Sequence, residues 1–237
     1  MISFELNSKQ YKTPESWQQV TFEKFLNYLS NVAPKTPEVL KNLYETEDLE
    51  KAWKKLKKKD RLKCFEFMAL SVGFWVNLDK VQIEESMNLQ QLQKAFWTIE
   101  IDLSEMNADE NFTGFEINGK QYILPAQHME GSTVSEFAEA AQFQENFQEV
   151  ENGAWLSMLD VVAVLCRPPG EKYSYNKTRH ETRKKIFKKL SMDKIINVSF
   201  FLLRLNKELH SNLLIYSLRQ QVQQKQQKQL KKHMAGI

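Results

Sequence analysis

The chain contains one octapeptide twice, and this repeat constrains its fold more than any other feature of its 237 residues. Phe4–Tyr11 reads FELNSKQY and Phe115–Tyr122 reads FEINGKQY, so the two copies agree at six of eight positions. A proline follows each copy at the same distance, at Pro14 and at Pro125. The repeat predicts a tandem duplication of one structural unit. The alternative is two unrelated hairpins that share a common turn.

Each octapeptide predicts a β-hairpin with a two-residue turn at its centre. The second copy has Asn-Gly there, the dipeptide that a type I′ turn prefers because both central residues need a positive φ. With this turn, Phe115 lies opposite Tyr122, and in the first copy Phe4 lies opposite Tyr11. These structural hairpin pairs place two rings on one face. An isolated hairpin is marginal in water, so we expect the aromatic faces to pack on helices.

The rest of the sequence predicts helices, because apolar residues recur at steps of three and four. Pro37 is expected in the first position of its helix, and Asp60, Asn88 and Asp193 are expected to start or cap helices. The predicted helices cover 20–33, 36–43, 60–72, 88–103, 133–141, 154–165, 176–190 and 193–216. The expected fold class is mostly α with small β-hairpins (α+β), as a tandem duplication of a β-hairpin plus helical-bundle unit.

Composition predicts where the repeated units begin and end. Residues 1–105 form a first hairpin-plus-helices lobe, and the polar stretch 106–114 is the linker that follows it. Residues 115–218 form the second lobe, and 219–237 are a tail rich in glutamine and lysine. A lobe of this length can bury a modest core of its own.

The near-neutral net charge of +3 conceals a polarised chain. From Glu100 to Glu151 there are twelve acids and one base, whereas from Glu171 to the end there are sixteen bases and four acids. The segment 51–63 adds eight bases against one acid. Three interpretations stay open: solvated helix faces, head-to-tail self-association, and binding to a nucleic-acid backbone. The candidate acidic-partner or nucleic-acid contacts are Lys54, Lys55, Lys57, Lys58, Arg183, Lys184, Lys188 and Lys189.

The sequence contains no motif that predicts catalysis. Its four histidines have no second histidine at helical metal-ligand spacing, and neither a P-loop nor a GxGxxG motif occurs. Cys64 and Cys166 fall in apolar surroundings, which favours buried thiols over nucleophiles. We therefore expect no enzyme, and no catalytic, cofactor-binding or metal residues. A hydrolase or transferase would instead need a deep pocket that combines His128 or His180 with carboxylates.

Two further features bear on location. No basic stretch followed by an apolar one opens the chain, and no apolar run approaches the ~20 residues of a membrane span. We therefore expect neither a secretory signal nor a membrane partner. Two widely separated cysteines favour a reducing compartment.

The second half also carries a family resemblance. Phe115–Tyr122, followed by Pro125 and helices, resembles the opening of the small helical tail-assembly proteins of tailed bacteriophages. The order of Leu165–Tyr173, a basic helix over 183–190 and Phe200–Leu203 is similar to that of tail-assembly chaperones and related virion structural proteins. The resemblance covers most of 113–218 and, through the repeat, more weakly 2–105.

The resemblance implies a non-enzymatic bacteriophage assembly or structural protein of the tail or virion that acts through protein–protein interactions. Its partners would be other phage structural or assembly proteins, with self-association as a further mode. It would work in the host cytoplasm during assembly or be retained in the virion, without a cofactor. The alternative function is a nucleic-acid-associated protein that uses its basic helices.

Overall fold

The computed structural model describes residues 3–6, 8–102, 108–125, 134–145, 153–172, 174 and 176–204. Within these residues the chain is mostly helical with two small antiparallel hairpins, which confirms the expected α+β class. His128, the tail 219–237 and the end of the last predicted helix lie outside the described residues, as do positions 106–107 of the predicted linker.

The described elements follow one another in a simple order. The strands are β1 (Ser3–Leu6), β2 (Lys9–Lys12), β3 (Gly114–Ile117) and β4 (Lys120–Ile123). The helices are α1 (Phe22–Asn31), α2 (Glu38–Tyr44), α3 (Leu49–Lys55), α4 (Lys58–Val76), α5 (Lys80–Ser86), α6 (Leu89–Asp102), α7 (Val134–Glu145), α8 (Gly153–Leu165), α9 (Lys177–Phe187) and α10 (192–204). Short 3-10 turns over Trp17–Gln19 and Ala33–Lys35 flank α1.

Both hairpins have the strand register that the octapeptides predict. β1 and β2 place Phe4 opposite Tyr11 with their ring centroids 5.6 Å apart, and β3 and β4 place Phe115 opposite Tyr122 at 5.8 Å. The turn of the second hairpin has φ values of 53° and 70° at its Asn-Gly dipeptide, as a type I′ turn requires. Local turn chemistry therefore sets the pairing.

The two hairpins differ in how they join the rest of the fold. Phe115 and Tyr122 are buried because the ring of Phe187 meets them edge-on, at 5.3 and 4.9 Å. Phe4 and Tyr11 are half-buried, and among the described residues no third ring contacts this pair. The second hairpin is part of the core, whereas the first lies at its margin.

Helix starts correct the sequence expectation at two places. Pro37 is the N-cap of α2 and precedes its first residue, and the hydroxyl of Thr36 donates to the carbonyl of Ala33 at 2.7 Å. Helix α4 begins at Lys58 with no side-chain cap, so Asp60 lies in its first turn and does not cap it. In both places the N-cap is not the residue with the strongest capping propensity: Thr36 precedes the N-cap of α2 by one residue, and Asp60 follows the N-cap of α4 by three.

The expected cap at Asn88 is confirmed, because its Oδ1 accepts a hydrogen bond from the Gln91 amide at 2.9 Å. Helix α10 begins at 192, so Asp193 lies in its first turn. The sequence analysis did not predict α3 and α5. Each has seven residues and is capped by an aspartate, Asp48 or Asp79. Helices this short have too few apolar residues to show a clear period, and neither begins with the Thr-Pro-Glu sequence that predicted α2, which has the same length.

The two halves make direct contacts across the predicted boundary. The start of α1 pairs with the start of α10, since the Phe22 amide donates to the Leu190 carbonyl at 2.7 Å and the Met192 amide to the Val20 carbonyl at 2.8 Å. Buried side chains of both halves belong to one hydrophobic cluster. Six helices follow the first hairpin and four described helices follow the second, so the tandem duplication stays a prediction. None of the described helices combines the length and the apolar character needed to cross a membrane.

Candidate functional site

An open groove of about 790 Å³ lies along α4 and the start of α6. Its lining combines apolar side chains, which we call its floor, with charged side chains, which we call its edge. The floor consists of Leu62 and Phe65 on α4, Met87 between α5 and α6, and Leu89 and Leu92 on α6. The edge consists of Lys58, Lys59, Arg61, Glu66 and Glu84. We call this feature the α4–α6 groove.

Two leucines of the α4–α6 groove are largely exposed. Leu62 is 59% exposed and Leu89 is 58% exposed. Phe65 is half-buried, and the ring of Trp53 meets it edge-on at 5.6 Å, which holds it in place from the α3 side. A contiguous apolar surface with a charged rim is typical of an interaction site, because isolated exposed leucines are common but grouped ones are not.

The charges at the edge of the groove are unevenly paired. Lys58 and Lys59 are exposed, and neither forms an ion pair with any described residue. Arg61 donates to the carbonyl of Lys54 at 2.7 Å, so its guanidinium helps to join α3 to α4. Glu84 lies 3.4 Å from the ammonium of Lys80. The uncompensated charge of the groove is therefore positive and lies at the start of α4.

The eight predicted contact residues fall into two groups. Lys54, Lys55, Lys57 and Lys58 lie together where α3 ends and α4 begins, and Lys54 pairs with Glu50 at 2.6 Å. The other four lie in α9 and in the segment that follows it, where Lys188 is half-buried and Lys189 is exposed.

Arg183 and Lys184 do not form the exposed basic surface that we expected. Arg183 is only 9% exposed and donates a hydrogen bond to Glu171. The ammonium of Lys184 lies 2.6 Å from Asp160 Oδ1 and 3.6 Å from Glu181 Oε1. Lys184 joins α9 to α8 through Asp160, and Arg183 shares the Glu171 carboxylate with Arg179.

Asp160 is the centre of this internal network. Its Oδ1 accepts a hydrogen bond from His180 Nε2 at 2.9 Å and also forms the ion pair with Lys184. Burial by itself raises the pKa of Asp160, but the hydrogen bonds from His180 and Lys184 outweigh burial and hold the pKa below its ordinary value. The same contact with Asp160 outweighs desolvation at Lys184 and raises the pKa of that lysine. Asp160 therefore stays ionised between two donors.

Asp160 and Glu181 of this network already pair with an ammonium. Ligand atoms of Asp160, His180 and Glu181 lie within 4.8 Å of one another, but the Lys184 ammonium already supplies the positive charge that a metal ion would bring to these carboxylates. The cavity beside His180 measures about 20 Å³, which is room for roughly one water molecule. Among the described residues, the cavity that borders His180 is therefore not the deep pocket of a hydrolase or transferase, and the absence of catalysis stays a prediction.

Glu100 is a half-buried acid that is not among the predicted site residues. It lies on α6, accepts a hydrogen bond from the Tyr44 hydroxyl, and has its pKa raised by burial. Burial, together with the nearby charge of Glu100, raises the pKa of Tyr28 to about 12. The available signal was spacing: Glu100 follows Phe96 by four residues, so it shares the core-facing side of the helix.

The chain was compared with known proteins at three levels. No protein-family model, curated protein sequence or solved structure matches it.

Proposed function

We propose that the protein is a non-enzymatic assembly or structural protein of a tailed bacteriophage, which acts by binding other proteins through the α4–α6 groove. The bacteriophage context is supported by the resemblance of the 113–218 region. The mode of action is supported by one structural observation: Leu62 and Leu89 lie exposed beside Lys58 and Lys59, which form no ion pair with any described residue.

The exposed leucines represent unused hydrophobic stabilisation. Full burial of a leucine contributes about 1.5–3 kcal/mol, so two leucines that are each more than half exposed leave roughly 2–3.5 kcal/mol unrealised. A protein partner that covers the groove would recover this free energy. A partner that contacts only the charged edge would leave both leucines exposed and would not gain this free energy.

The lysines at the start of α4 are also unfavourable for folding. Lys57, Lys58 and Lys59 surround the N-terminus of a helix that has no side-chain cap. The N-terminal end of a helix carries a partial positive charge, so each cation there costs about 0.3–1 kcal/mol. Exposed leucines and lysines at a helix N-terminus are both unfavourable in the free protein. Their occurrence at one site is typical of a binding surface, because a partner can bury the leucines and neutralise the lysines.

Binding to nucleic acid is the second candidate function. Lys54, Lys55, Lys57 and Lys58 form a compact basic patch, and Lys55 and Lys57 form no ion pair with any described residue. Such a patch would bind phosphates without sequence preference and with strong salt dependence. The apolar floor next to it favours a protein partner, because phosphates and sugars offer little for leucines to contact.

The experiment is co-expression of the full chain with each capsid, portal and tail protein encoded near its gene, followed by size-exclusion chromatography. A stoichiometric complex is expected with at least one of them. The double variant Leu62→Glu/Leu89→Glu should lose the complex but keep its fold, because exposed substitutions change stability by about 0.5 kcal/mol or less. Leu203→Glu is the matched control, since Leu203 is 62% exposed and does not line the groove.

The two candidate functions give opposite outcomes in this design. A complex that survives both leucine substitutions would show that the groove is not the binding surface. Tight binding of duplex or single-stranded DNA that weakens steeply with salt, with no protein complex, would instead support the nucleic-acid function.

A further inference from the structure

We infer that the α4–α6 groove takes an amphipathic α-helix of a partner protein whose acidic end lies over the start of α4. The inference rests on the proposed function, because it specifies the chemistry of the segment that the groove would bind. Two observations support it: the spacing of the floor residues, and the position of Lys58 and Lys59 at the start of α4.

The floor has the spacing of two helix faces. Leu62 and Phe65 are three residues apart on α4, and Leu89 and Leu92 are three residues apart on α6. Each pair therefore spans about one turn on one helix face, and the exposed Leu62 and Leu89 form the ridges of the two faces. A partner helix that presents apolar residues at steps of three and four can place them between such ridges. The lining includes no strand, so the groove offers no backbone edge for an extended peptide.

Charge sets the direction of the bound helix. Lys58, Lys59 and Arg61 lie at the N-terminal end of α4, whereas Glu66 lies further along the same helix. Glutamates or aspartates of the partner would meet the unpaired lysines and the positive end of the α4 dipole together. A basic helix in the same position would face like charges with no described acid close enough to pair with the lysines.

The test uses a yeast-displayed library of amphipathic helices of about 18 residues, long enough to form helix on contact with the groove. The apolar positions vary among leucine, isoleucine and phenylalanine, and the polar positions vary among glutamate, lysine and glutamine. The full chain is the bait, and clones that also bind Leu62→Glu are discarded. Glutamate should be enriched over lysine near one end of the selected helices.

Selected peptides are then measured by fluorescence anisotropy against matched charge variants. Lys58→Glu/Lys59→Glu should weaken binding by about tenfold at low salt, because it replaces two attractive contacts with two repulsive ones. Lys63→Glu/Lys94→Glu makes the same change in net charge at exposed lysines of α4 and α6 that do not line the groove. This control should weaken binding by less than about threefold, through long-range attraction alone.

The outcomes separate the inference from the proposed function. Helices that bind through Leu62 but show no preference for glutamate, or respond equally to both charge variants, would overturn the inference and leave a protein-binding groove. If selection yields no clone that depends on Leu62, the inference and the groove-based function both fail. A chain that forms a dimer lost in Leu62→Glu, measured by analytical ultracentrifugation, would identify a second copy as the occupant and also overturn the inference.

Discussion

The hairpins provide an internal experiment, because Tyr11 and Tyr122 occupy equivalent positions with different surroundings. Each stacks on its cross-strand phenylalanine, at 5.6 or 5.8 Å, and each lies near the ammonium of a lysine two residues before it. Only Tyr122 also contacts Phe187, at 4.9 Å, and only Tyr122 is buried. A comparison of the two alanine variants therefore isolates the contribution of tertiary packing.

Tyr122→Ala should lower the free energy of unfolding by about 3–5 kcal/mol, the range for removing a large buried ring. Tyr11→Ala should lower it by only about 1 kcal/mol, because a half-buried cross-strand pair contributes roughly 0.2–1 kcal/mol and little cavity forms. The measurement is urea denaturation of both variants followed by far-UV circular dichroism. The double variant with Phe187→Ala should show a coupling of about 0.5–1.5 kcal/mol for Tyr122.

Equal losses at the two tyrosines would refute this reasoning. They would mean either that Phe187 does not pack on the second hairpin or that the first hairpin is covered as fully as the second. A coupling near zero between Tyr122 and Phe187 would identify the first of these explanations, since the loss of the cross-strand pair occurs with and without Phe187 and cancels in the double-mutant cycle.

Two predictions concern buried ionisable groups, and both are read from the pH dependence of unfolding. Burial raises the pKa of Glu100, so its contribution to stability is full below the ordinary glutamate pKa and is lost as pH rises through the raised value. Glu100→Gln should therefore gain about 1 kcal/mol at neutral pH, and a loss there would contradict the raised pKa. Asp160 has a lowered pKa. Its contribution to the free energy of unfolding is therefore full above the ordinary aspartate pKa and is lost as pH falls through the lowered value. Asp160→Asn should cost about 3 kcal/mol at neutral pH and progressively less in acid, whereas a pH-independent cost would exclude the ion pair with Lys184.

The expected fold class and both hairpin registers could be predicted because they depend on short-range chemistry. An Asn-Gly dipeptide places its flanking residues opposite one another wherever the hairpin lies. The apolar periods likewise located α1, α4, α6, α8 and α9 to within a few residues. The short helices α3 and α5 were missed, whereas α2, which is equally short, was predicted from its Thr-Pro-Glu start and not from an apolar period.

The candidate site was only partly predictable. The basic segment 51–63 was visible in the sequence, but sequence counting treated its lysines and those of α9 alike. The fold distinguishes them: Lys184 pairs with Asp160, whereas Lys58 lies beside exposed leucines and pairs with no acid in the described part of the chain. Which cations meet carboxylates depends on helices that approach from distant parts of the chain. The number and spacing of charges cannot reveal those contacts.

The sequence by itself determined the hairpins, most of the helices and the uneven distribution of charge along the chain, because each depends on neighbours within a few residues. Tertiary structure alone decided that Phe187 covers the second hairpin, that Glu100 is half-buried, and that Leu62 and Leu89 line one groove. These outcomes depend on which helix faces meet. Packing selects those faces through the summed burial of many side chains, a quantity that no single segment contains.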